Sequence, residues 1–224
     1  ALKGADLLSA LFPNEAEVFN LKAGILIRQG RLEEAKINIE KALAQNPTLF
    51  PAKFNLAATE SRLGNVDKSN LLVEELLALS PQHNETLMLK AFNLTKAGNL
   101  EEAKQIYLDL LTLTPSNSGT RERVSSLYQQ QGDTKNALYH LDLLIKDEFD
   151  NADYLLRKAA LQLEAGQRAD AEKTLSIVRN FINDDAGKLI AYADQARRVD
   201  NDENALDAMA RAYQIANTST FVTL

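Results

Sequence analysis

The stretch GRLEEAK at residues 30–36 returns as GNLEEAK at residues 98–104, 68 positions later. The flanks agree as well, because LKA stands at residues 21–23 and again at residues 89–91. Agreement over both stretches at one offset indicates an internal repeat, and a repeat of this kind decides the fold class before any other feature.

Glycine, proline and small residues recur at half of that offset, which is the interval from Gly30 to Gly64. Five of the nine glycines follow this period: Gly30, Gly64, Gly98, Gly132 and Gly166. Four of the five prolines do the same: Pro13, Pro47, Pro81 and Pro115. A small residue follows each glycine at a constant distance: Ala35, Ser69, Ala103, Ala137 and Ala171, with Ala205 continuing the series. Three kinds of residue in one register predict a chain built from copies of one unit.

Each unit is predicted to be a pair of antiparallel helices. A first apolar face, with helical spacing, is formed by Val18, Phe19, Ala23 and Leu26. Glycine then ends the helix, because it adopts the left-handed backbone conformation without a Cβ penalty. A second apolar face is formed by Leu32, Ala35, Ile39, Ala42 and Leu43. It stops before Asn46-Pro47, since proline cannot continue a helix.

A helical hairpin of this length and spacing resembles the tetratricopeptide repeat (TPR). The first full unit carries the large, small and proline residues of the family pattern: Phe19, Ala23, Leu26, Ala35, Ile39, Ala42 and Pro47. The resemblance implies an all-α fold, a right-handed superhelix (TPR solenoid) of six helical hairpins with partial flanking helices. The six units are residues 16–49, 50–83, 84–117, 118–151, 152–185 and 186–219.

The last units and the two ends depart from the pattern. Phe149, Asn183 and Asn217 stand where earlier units have proline, and Asp200 replaces the sixth glycine. Residues 1–15 are interpreted as the second helix of a truncated preceding repeat, and residues 220–224 as the start of a further unit. The whole of 1–224 is therefore predicted to be a single array, taken from within a longer protein.

Composition and motifs argue against several classes of function. A net charge of −6 and a pI near 5.1 disfavour a broad nucleic-acid-binding surface. No apolar run reaches the roughly 18 residues of a membrane span. No cofactor, metal or catalytic motif is found, and His83 and His140 are interpreted as surface residues rather than as ligands or catalysts. The absence of cysteine leaves the compartment open between bacterial cytoplasm and periplasm.

The resemblance implies that a protein or peptide partner binds along the first helices. We predict a groove whose residues occupy matched positions: Asn20, Phe54, Met88 and Phe92, with the basic row Arg28, Arg62 and Lys96 at its edge. Phe54, Met88 and Phe92 are alternatively core residues between neighbouring repeats. The basic row either steers an acidic segment or complements helix C-termini. The family's carboxylate clamp for chaperone tails is missing, so that partner class is disfavoured.

One further position alternates between odd and even units. Lysine recurs in the first helices at the offset of the opening stretch, at Lys22, Lys90 and Lys158. This alternation explains why odd units resemble odd units, and it suggests that the array grew by duplication of a two-hairpin block. The lysine stems are expected to lie across the seam between units while the ammonium groups reach water. The alternative is that the three ammonium groups face an acidic partner.

Three hypotheses of function follow. The first is a noncatalytic scaffold that holds a partner on the concave face. The GxxxxA-rich units and the stretch at residues 205–213 are similar to long bacterial TPR lipoproteins of exopolysaccharide and exosortase (PEP-CTERM) systems. The second is a regulatory or substrate-selecting arm of an enzyme whose catalytic domain lies outside these residues. The third is a self-assembly module that forms homo-oligomers through its ends.

Overall fold

The computed structural model describes residues 2–12, 14–182 and 184–221, and within them the regular structure is α-helical. The helices are α1 (Leu2–Leu11), α2 (Ala16–Arg28), α3 (Leu32–Gln45), α4 (Phe50–Arg62), α5 (Val66–Leu79), α6 (Asn84–Lys96), α7 (Leu100–Leu113), α8 (Ser118–Gln130), α9 (Thr134–Asp147), α10 (Ala152–Glu164), α11 (Arg168–Val178), α12 (Ala186–Arg198) and α13 (Asp202–Phe221). The predicted all-α fold class of repeated helical hairpins is confirmed. No helix of the described residues has both the length and the apolar character that a bilayer span requires.

The predicted glycine turns are confirmed by the backbone. Gly30 has φ +74°, and the other four glycines of the series also have positive φ. At the first turn the Arg31 amide donates to the Leu26 carbonyl at 3.0 Å, a bond that closes the helix end. In the sixth unit Asp200 takes the glycine's place with φ +58°, and the Asn201 amide donates to Ala196 O at 2.9 Å. The turn is therefore kept without glycine, because aspartate is among the residues that tolerate this conformation.

The chain divides into two compact units, unit 1 (Ala1–Leu110) and unit 2 (Leu111–Leu224). In unit 1 the first helices contact one another, α2 with α4 and α4 with α6. Among the described residues no contact of comparable extent joins the second helices α3 and α5. The first helices of unit 1 therefore line the inner side of a curved stack, as the architecture implies.

Small residues sit where helices of unit 1 pack most closely. Ala23 of α2 and Ala35 of α3 are fully buried in one cluster with Leu26 and Ile39. Ala57 of α4 lies in a second cluster with Val73 and Leu76 of α5. Absence of a longer side chain at these alanines lets the two helices of a hairpin approach closely, and a bulky replacement there would cost about 1–3 kcal/mol by overpacking.

Unit 2 has a longer, continuous apolar core. One cluster extends from Ala152 of α10 to Ala212 of α13 and includes Leu175, Leu189 and Tyr192. A smaller cluster joins Leu141 and Leu144 of α9 to Leu161 of α10. The hairpins of unit 2 are therefore held together mainly by apolar side chains.

The last helix differs from the expectation that a further unit starts at residue 220. Helix α13 continues through that point to Phe221 and is 20 residues long, whereas α3, α5 and α9 each have 14. Asn217 stands at the position that Pro47 occupies in the first repeat, so no proline ends α13 at this point. Pro13, Asn183 and residues 222–224 lie outside the described residues, and the repeat boundaries as a whole stay a prediction.

Candidate partner-binding groove

The first helices of unit 1 present matched positions that we call the inner wall. It consists of Asn20 and Gly24 on α2, Phe54 and Ala58 on α4, and Met88 and Phe92 on α6. All six residues are partly exposed. A Cβ atom built on Gly24 would meet nothing within 4 Å, so space in front of this part of α2 is open. Gly24 and Ala58 are the small residues of this row, and Phe92 is a large one.

Polar contacts tie neighbouring first helices together along this wall. The Asn55 side-chain amide donates to Asn20 Oδ1 at 2.8 Å, across the contact between α2 and α4. Asn20 was predicted as a groove residue, and the structure places it half-buried in this helix-to-helix bond. Its amide has further hydrogen-bonding capacity, since one oxygen accepts two bonds and the nitrogen carries two donors.

The three predicted apolar groove residues have different surroundings. Phe54 packs against the cluster of Ala57, Val73 and Leu76, and its ring lies edge-on to His83 at a centroid distance of 5.8 Å. Met88 is partly exposed on α6. Phe92 lies one turn further along, with the Lys96 ammonium 5.0 Å from its ring centroid. Phe54 thus packs in part on the core of its own hairpin and on His83, which caps the first helix of the next repeat.

The basic row contacts the preceding first helix at two of its three positions. Lys96 Nζ donates to the Ser61 carbonyl at 2.8 Å, and Arg62 Nη1 donates to the Ile27 carbonyl at 3.5 Å. Both acceptors lie at the C-terminal end of the previous first helix, where a cation is favourable. Arg28 is exposed in the last turn of α2. The row therefore stabilises the stacking of first helices, while Arg62 and Lys96 also remain exposed.

A buried glutamate is the largest feature that sequence reasoning missed. Glu60 on α4 is fully buried, and its carboxylate accepts from Lys68 at 2.6 Å and from Asn65 at 2.7 Å. The ammonium of Lys36, on α3, lies 3.1 Å from the same carboxylate. Burial by itself raises the pKa of Glu60, but the hydrogen bonds from Lys68, Asn65 and Lys36 outweigh it and hold the pKa at about 2. The sequence marks Glu60 as an exception to the repeat pattern, because Leu26 and Leu94 occupy the matching position in the neighbouring repeats.

A second buried polar network joins the second and third repeats. The Ser61 hydroxyl donates to Asn93 Oδ1 at 2.6 Å. The Asn93 amide nitrogen in turn donates to Ser69 Oγ at 2.9 Å and to Asn70 Oδ1 at 2.8 Å. Each of these side chains has at least one hydrogen-bond partner in the network, as buried polar groups require. The seam behind the inner wall is therefore specified by hydrogen bonds as well as by apolar contacts.

The two histidines have structural surroundings. His83 caps α6, with the Thr86 amide donating to its Nδ1 at 3.2 Å. His140 was interpreted as a surface residue, and this is wrong: it is buried and stacks on Tyr128 at 5.6 Å between ring centroids. Burial lowers the pKa of His140, and the nearby charge of Arg121 lowers it further. Within the part of the chain that the structure describes, no group of three or more acidic or histidine side chains is arranged for a metal ion.

Two of the alternating lysines, Lys90 and Lys158, pair with acidic residues of the preceding second helix. Lys90 lies 3.1 Å from a carboxylate oxygen of Glu74, and Lys158 lies 2.7 Å from one of Asp142. Each acidic partner precedes its lysine by the same interval in the sequence. In the repeat between them, Val124 takes the place of the lysine and Leu108 takes the place of the acidic residue. Both members of the pair therefore change together. Lys90 and Lys158 therefore link adjacent repeats through pairs that are partly exposed.

Comparison with known proteins places these observations in a wider context. Residues 16–49 and 85–117 match the family model described as tetratricopeptide repeat. A tetratricopeptide repeat protein from Parabacteroides merdae has 19% identity and a TM-score of 0.68, over 96% of this chain and 85% of that chain. PilF of Pseudomonas aeruginosa has 18% identity and a TM-score of 0.70, over 86% of this chain and 88% of that one.

PilW, described as a widely conserved type IV pilus biogenesis factor, gives 18% identity and a TM-score of 0.73, over 88% of this chain and 91% of that chain. At these identities the likeness concerns the fold. No curated protein matches the sequence significantly.

Proposed function

We propose that this chain, a tetratricopeptide repeat protein, holds a segment of a partner protein against the inner wall of unit 1 and performs no catalysis itself. The fold is that of protein-interaction scaffolds, and the inner wall is the surface on which we place the partner. The proposal concerns Asn20, Gly24, Ala58, Met88 and Phe92, with the exposed cations Arg28, Arg62 and Lys96 beside them.

The observation that carries the proposal is the open space at Gly24. Glycine inside a helix costs roughly 0.5–1 kcal/mol relative to alanine, and here no neighbouring atom requires its small size. In contrast, the alanines at Ala23 and Ala57 are fully buried against other helices. A helical glycine that faces open space gives a partner backbone room to approach α2 closely.

Phe92 and Lys96 lie on α6, two first helices along the inner wall from Gly24, and supply complementary chemistry there. A half-buried aromatic ring offers apolar area to a partner side chain, and the ammonium above it retains donors for a carbonyl or carboxylate of that partner. Since Lys96 already donates to Ser61 O, it is held in place before binding, which lowers the entropy lost on association. Phe54, being packed on the core, contributes mainly by supporting α4.

A displayed library of random peptides tests the proposal. Selection on the wild-type chain is followed by measurement of each enriched peptide against two variants. Gly24→Trp fills the open space in front of Gly24, and Ala44→Trp adds the same ring at an exposed position of α3. We expect enriched peptides to bind Ala44→Trp as they bind wild type and to lose at least tenfold in affinity for Gly24→Trp. Equal affinity for all three chains, or a failure to enrich any peptide, would contradict the proposal.

The resemblance to envelope lipoproteins of exopolysaccharide systems stays a prediction, as do the enzyme-arm and self-assembly hypotheses. PilF and PilW share the fold at 18% identity, and we propose no role in pilus biogenesis from that likeness.

A further inference from the structure

A cavity of about 260 Å³ lies in unit 2, between α11 and the hairpin of α12 and α13. Its floor consists of buried, mostly apolar side chains: Leu175, Tyr192, Ala196 and Val199. Its walls carry charged and carboxamide side chains: Glu172, Arg179, Asn180, Asn201 and Asn204. An apolar floor with a few convergent polar groups is typical of a small-molecule site, and this volume suits a ligand smaller than a drug.

The cavity exists because Ala196 is small. At the matching position the earlier repeats carry a larger side chain: Leu26, Glu60, Leu94, Tyr128 and Gln162. In unit 1 the Glu60 side chain fills the space between the preceding second helix, α3, and the turn of its own hairpin, since it contacts Lys36 on the one and Asn65 in the other. Alanine leaves the corresponding space in the last hairpin empty.

The Glu60 site shows what this place holds when it is filled. Its carboxylate is bound by Lys36 of the preceding second helix, by Asn65 of the hairpin turn and by Lys68 of α5. The residues at the matching positions all line the cavity, and they are Glu172, Asn201 and Asn204. The groups that hold Glu60 belong to its own hairpin and to the preceding second helix. The cavity is therefore the Glu60 site without its carboxylate, and the repeats that form it are α11 and the hairpin of α12 and α13.

Arg179 supplies the positive charge that the cavity has in place of the two lysines. It stands where other repeats have an apolar residue: Leu43, Leu77, Leu111 and Ile145. Helix α11 ends at Val178, and Arg179 follows as its C-cap and lines the cavity beside Tyr192. Within the part of the chain that the structure describes, neither Arg179 nor Glu172 forms an ion pair. Both charges are therefore available to a ligand.

The two charges define the class of ligand. Arg179 favours a carboxylate, which a guanidinium binds through two parallel hydrogen bonds. Glu172 takes the place of Lys36, so it opposes a second negative group and favours an ammonium. Seven residues separate the two on α11, which is two helical turns, so both side chains lie on the same face of the helix.

We propose that this cavity binds a free α-amino acid with an aliphatic side chain. The carboxylate of the ligand pairs with Arg179 and its ammonium group with Glu172. The aliphatic side chain lies on the apolar floor, in the space that Ala196 leaves open, and the carboxamides of Asn201 and Asn204 offer both donors and acceptors to the remaining polar atoms. The site is separate in its chemistry from the inner wall of unit 1 and does not depend on the function proposed there.

Isothermal titration calorimetry of the full chain with single compounds tests the proposal. The amino acids are L-valine, L-leucine and L-isoleucine, and two analogues of leucine each lack one charge. Leucinamide lacks the carboxylate, and 4-methylpentanoate lacks the ammonium group. We expect at least one of the three amino acids to bind with a Kd below about 1 mM, and both analogues to bind about tenfold more weakly than leucine or not at all.

A matched pair of variants locates the binding. Ala196→Leu restores the residue type of Leu26 and Leu94 and fills the cavity, whereas Ala169→Leu makes the same change at an exposed position of α11. We expect Ala196→Leu to lose about tenfold or more in affinity and Ala169→Leu to bind as wild type. Arg179→Gln changes an exposed side chain, so the fold is kept even if leucine is not accommodated at Ala196. It should weaken the binding of the amino acid by about tenfold and leave leucinamide unaffected.

Three results would overturn the proposal. One is that none of the three amino acids shows saturable binding. Another is that 4-methylpentanoate binds as tightly as leucine, which would remove the assignment of the ammonium group to Glu172. The third is that Arg179→Gln, or a folded Ala196→Leu, binds as wild type, which would place the amino acid elsewhere on the chain.

Discussion

Unit 1 buries the carboxylate of Glu60 in a seam between repeats, whereas unit 2 fills its seams with one long apolar cluster from Ala152 to Ala212. At the position that matches Glu60, unit 2 has Tyr128, Gln162 and Ala196. Gln162 is the polar one, and it accepts a single side-chain hydrogen bond from Thr174 at 2.7 Å. The helical hairpin therefore tolerates charged and apolar seams at one and the same place in the repeat.

The two units share the residues that set the path of the backbone and differ in the residues that fill the seams between hairpins. Both units keep the left-handed turn residue and the buried small residue, Ala35 in one and Ala171 in the other. These residues set the path of the backbone. The seam between hairpins is instead free to vary, provided that every buried polar group finds a partner. Unit 1 uses this freedom behind its inner wall, where hydrogen bonds hold α4 and α6 in one register.

The largest effect is expected from the apolar seam of unit 2. Tyr192→Ala removes a ring that is 3% exposed in the main cluster, and we expect a loss of about 4 kcal/mol in the unfolding free energy of α12, through lost burial and the cavity left behind. Native-state hydrogen exchange of the α12 amides measures it. Tyr139→Ala, at a tyrosine that is 59% exposed, is the control and should change little. A similar loss in both variants would show that the ring's burial is not the cause.

The charged seam of unit 1 should respond differently to two substitutions at one site. Glu60→Ala leaves Lys36, Lys68 and Asn65 without their common acceptor, and we expect a loss of about 3 kcal/mol. Glu60→Leu restores the residue type of Leu26 and Leu94, and it should cost less than about 1.5 kcal/mol because apolar replacement of a buried ion pair is often tolerated. Hydrogen exchange in α4 compares the two. If leucine proved as damaging as alanine, the network would be specific to this seam.

Acid is expected to destabilise the two units in different pH ranges. His140 has a pKa lowered by burial below the ordinary 6.5, so the unfolded chain binds more protons, and the stability of α9 falls as the pH drops below about 6.5. Glu60 has a pKa of about 2 against 4.5 when unfolded, so its contribution is fully present above about pH 4.5 and is lost as the pH falls towards 2. That contribution is on the order of 3 kcal/mol.

Hydrogen exchange followed from pH 7 to pH 3 tests this order. We expect α9 to lose protection before α4, and His140→Phe to remove the early loss in α9. Loss in α4 that began near pH 6 would show that Glu60 is not the group that controls the acid response of unit 1.

A smaller effect is expected where a cation binds a helix end. Lys96→Met removes the hydrogen bond to Ser61 O and should destabilise the contact between α4 and α6 by about 1 kcal/mol. Arg28→Met changes the member of the same row at the end of α2 and serves as the matched control, with little expected change. Thermal melting of both variants provides the measurement, and equal shifts would mean that the carbonyl contact contributes nothing.

The smallest expected effect is a gain. Gly24→Ala adds a methyl group into open space and removes the backbone freedom of a helical glycine, so it should stabilise unit 1 by about 0.5–1 kcal/mol. Gly98→Ala is the contrasting variant, because φ is +82° there and a side chain is strained. A loss at Gly24 would indicate that the inner wall is more tightly packed than the structure shows.

The period of the glycine series predicted the helical hairpins, and the glycine turns followed from the backbone preferences of single residues. Those features depend on local chemistry, which sequence pattern reports well. At Glu60 the repeat pattern marks an apolar position that carries a carboxylate, but its three partners could not be predicted, because they come from two other helices and a turn. His140 was misjudged for a related reason: its burial depends on the contact of its helix with Tyr128 on the neighbouring one.

The groove stays a prediction, and the contacts of its residues could not be predicted from the sequence. Matched positions along the first helices selected Asn20, Met88 and Phe92, yet only coordinates show that Phe54 also packs on the core and that Lys96 donates to Ser61 O. Gly24 was visible in the sequence as a helical glycine outside the repeating series. Only the structure shows that a Cβ atom built on Gly24 would meet nothing within 4 Å.

Amide hydrogen exchange with and without a library-selected peptide shows where a partner segment lies on the chain. We expect the peptide to increase protection in α2, α4 and α6, and to leave α3, α5 and the terminal hairpin of α12 and α13 unchanged. Increased protection confined to the second helices, or to α12 and α13, would contradict the assignment of the inner wall of unit 1 as the binding surface.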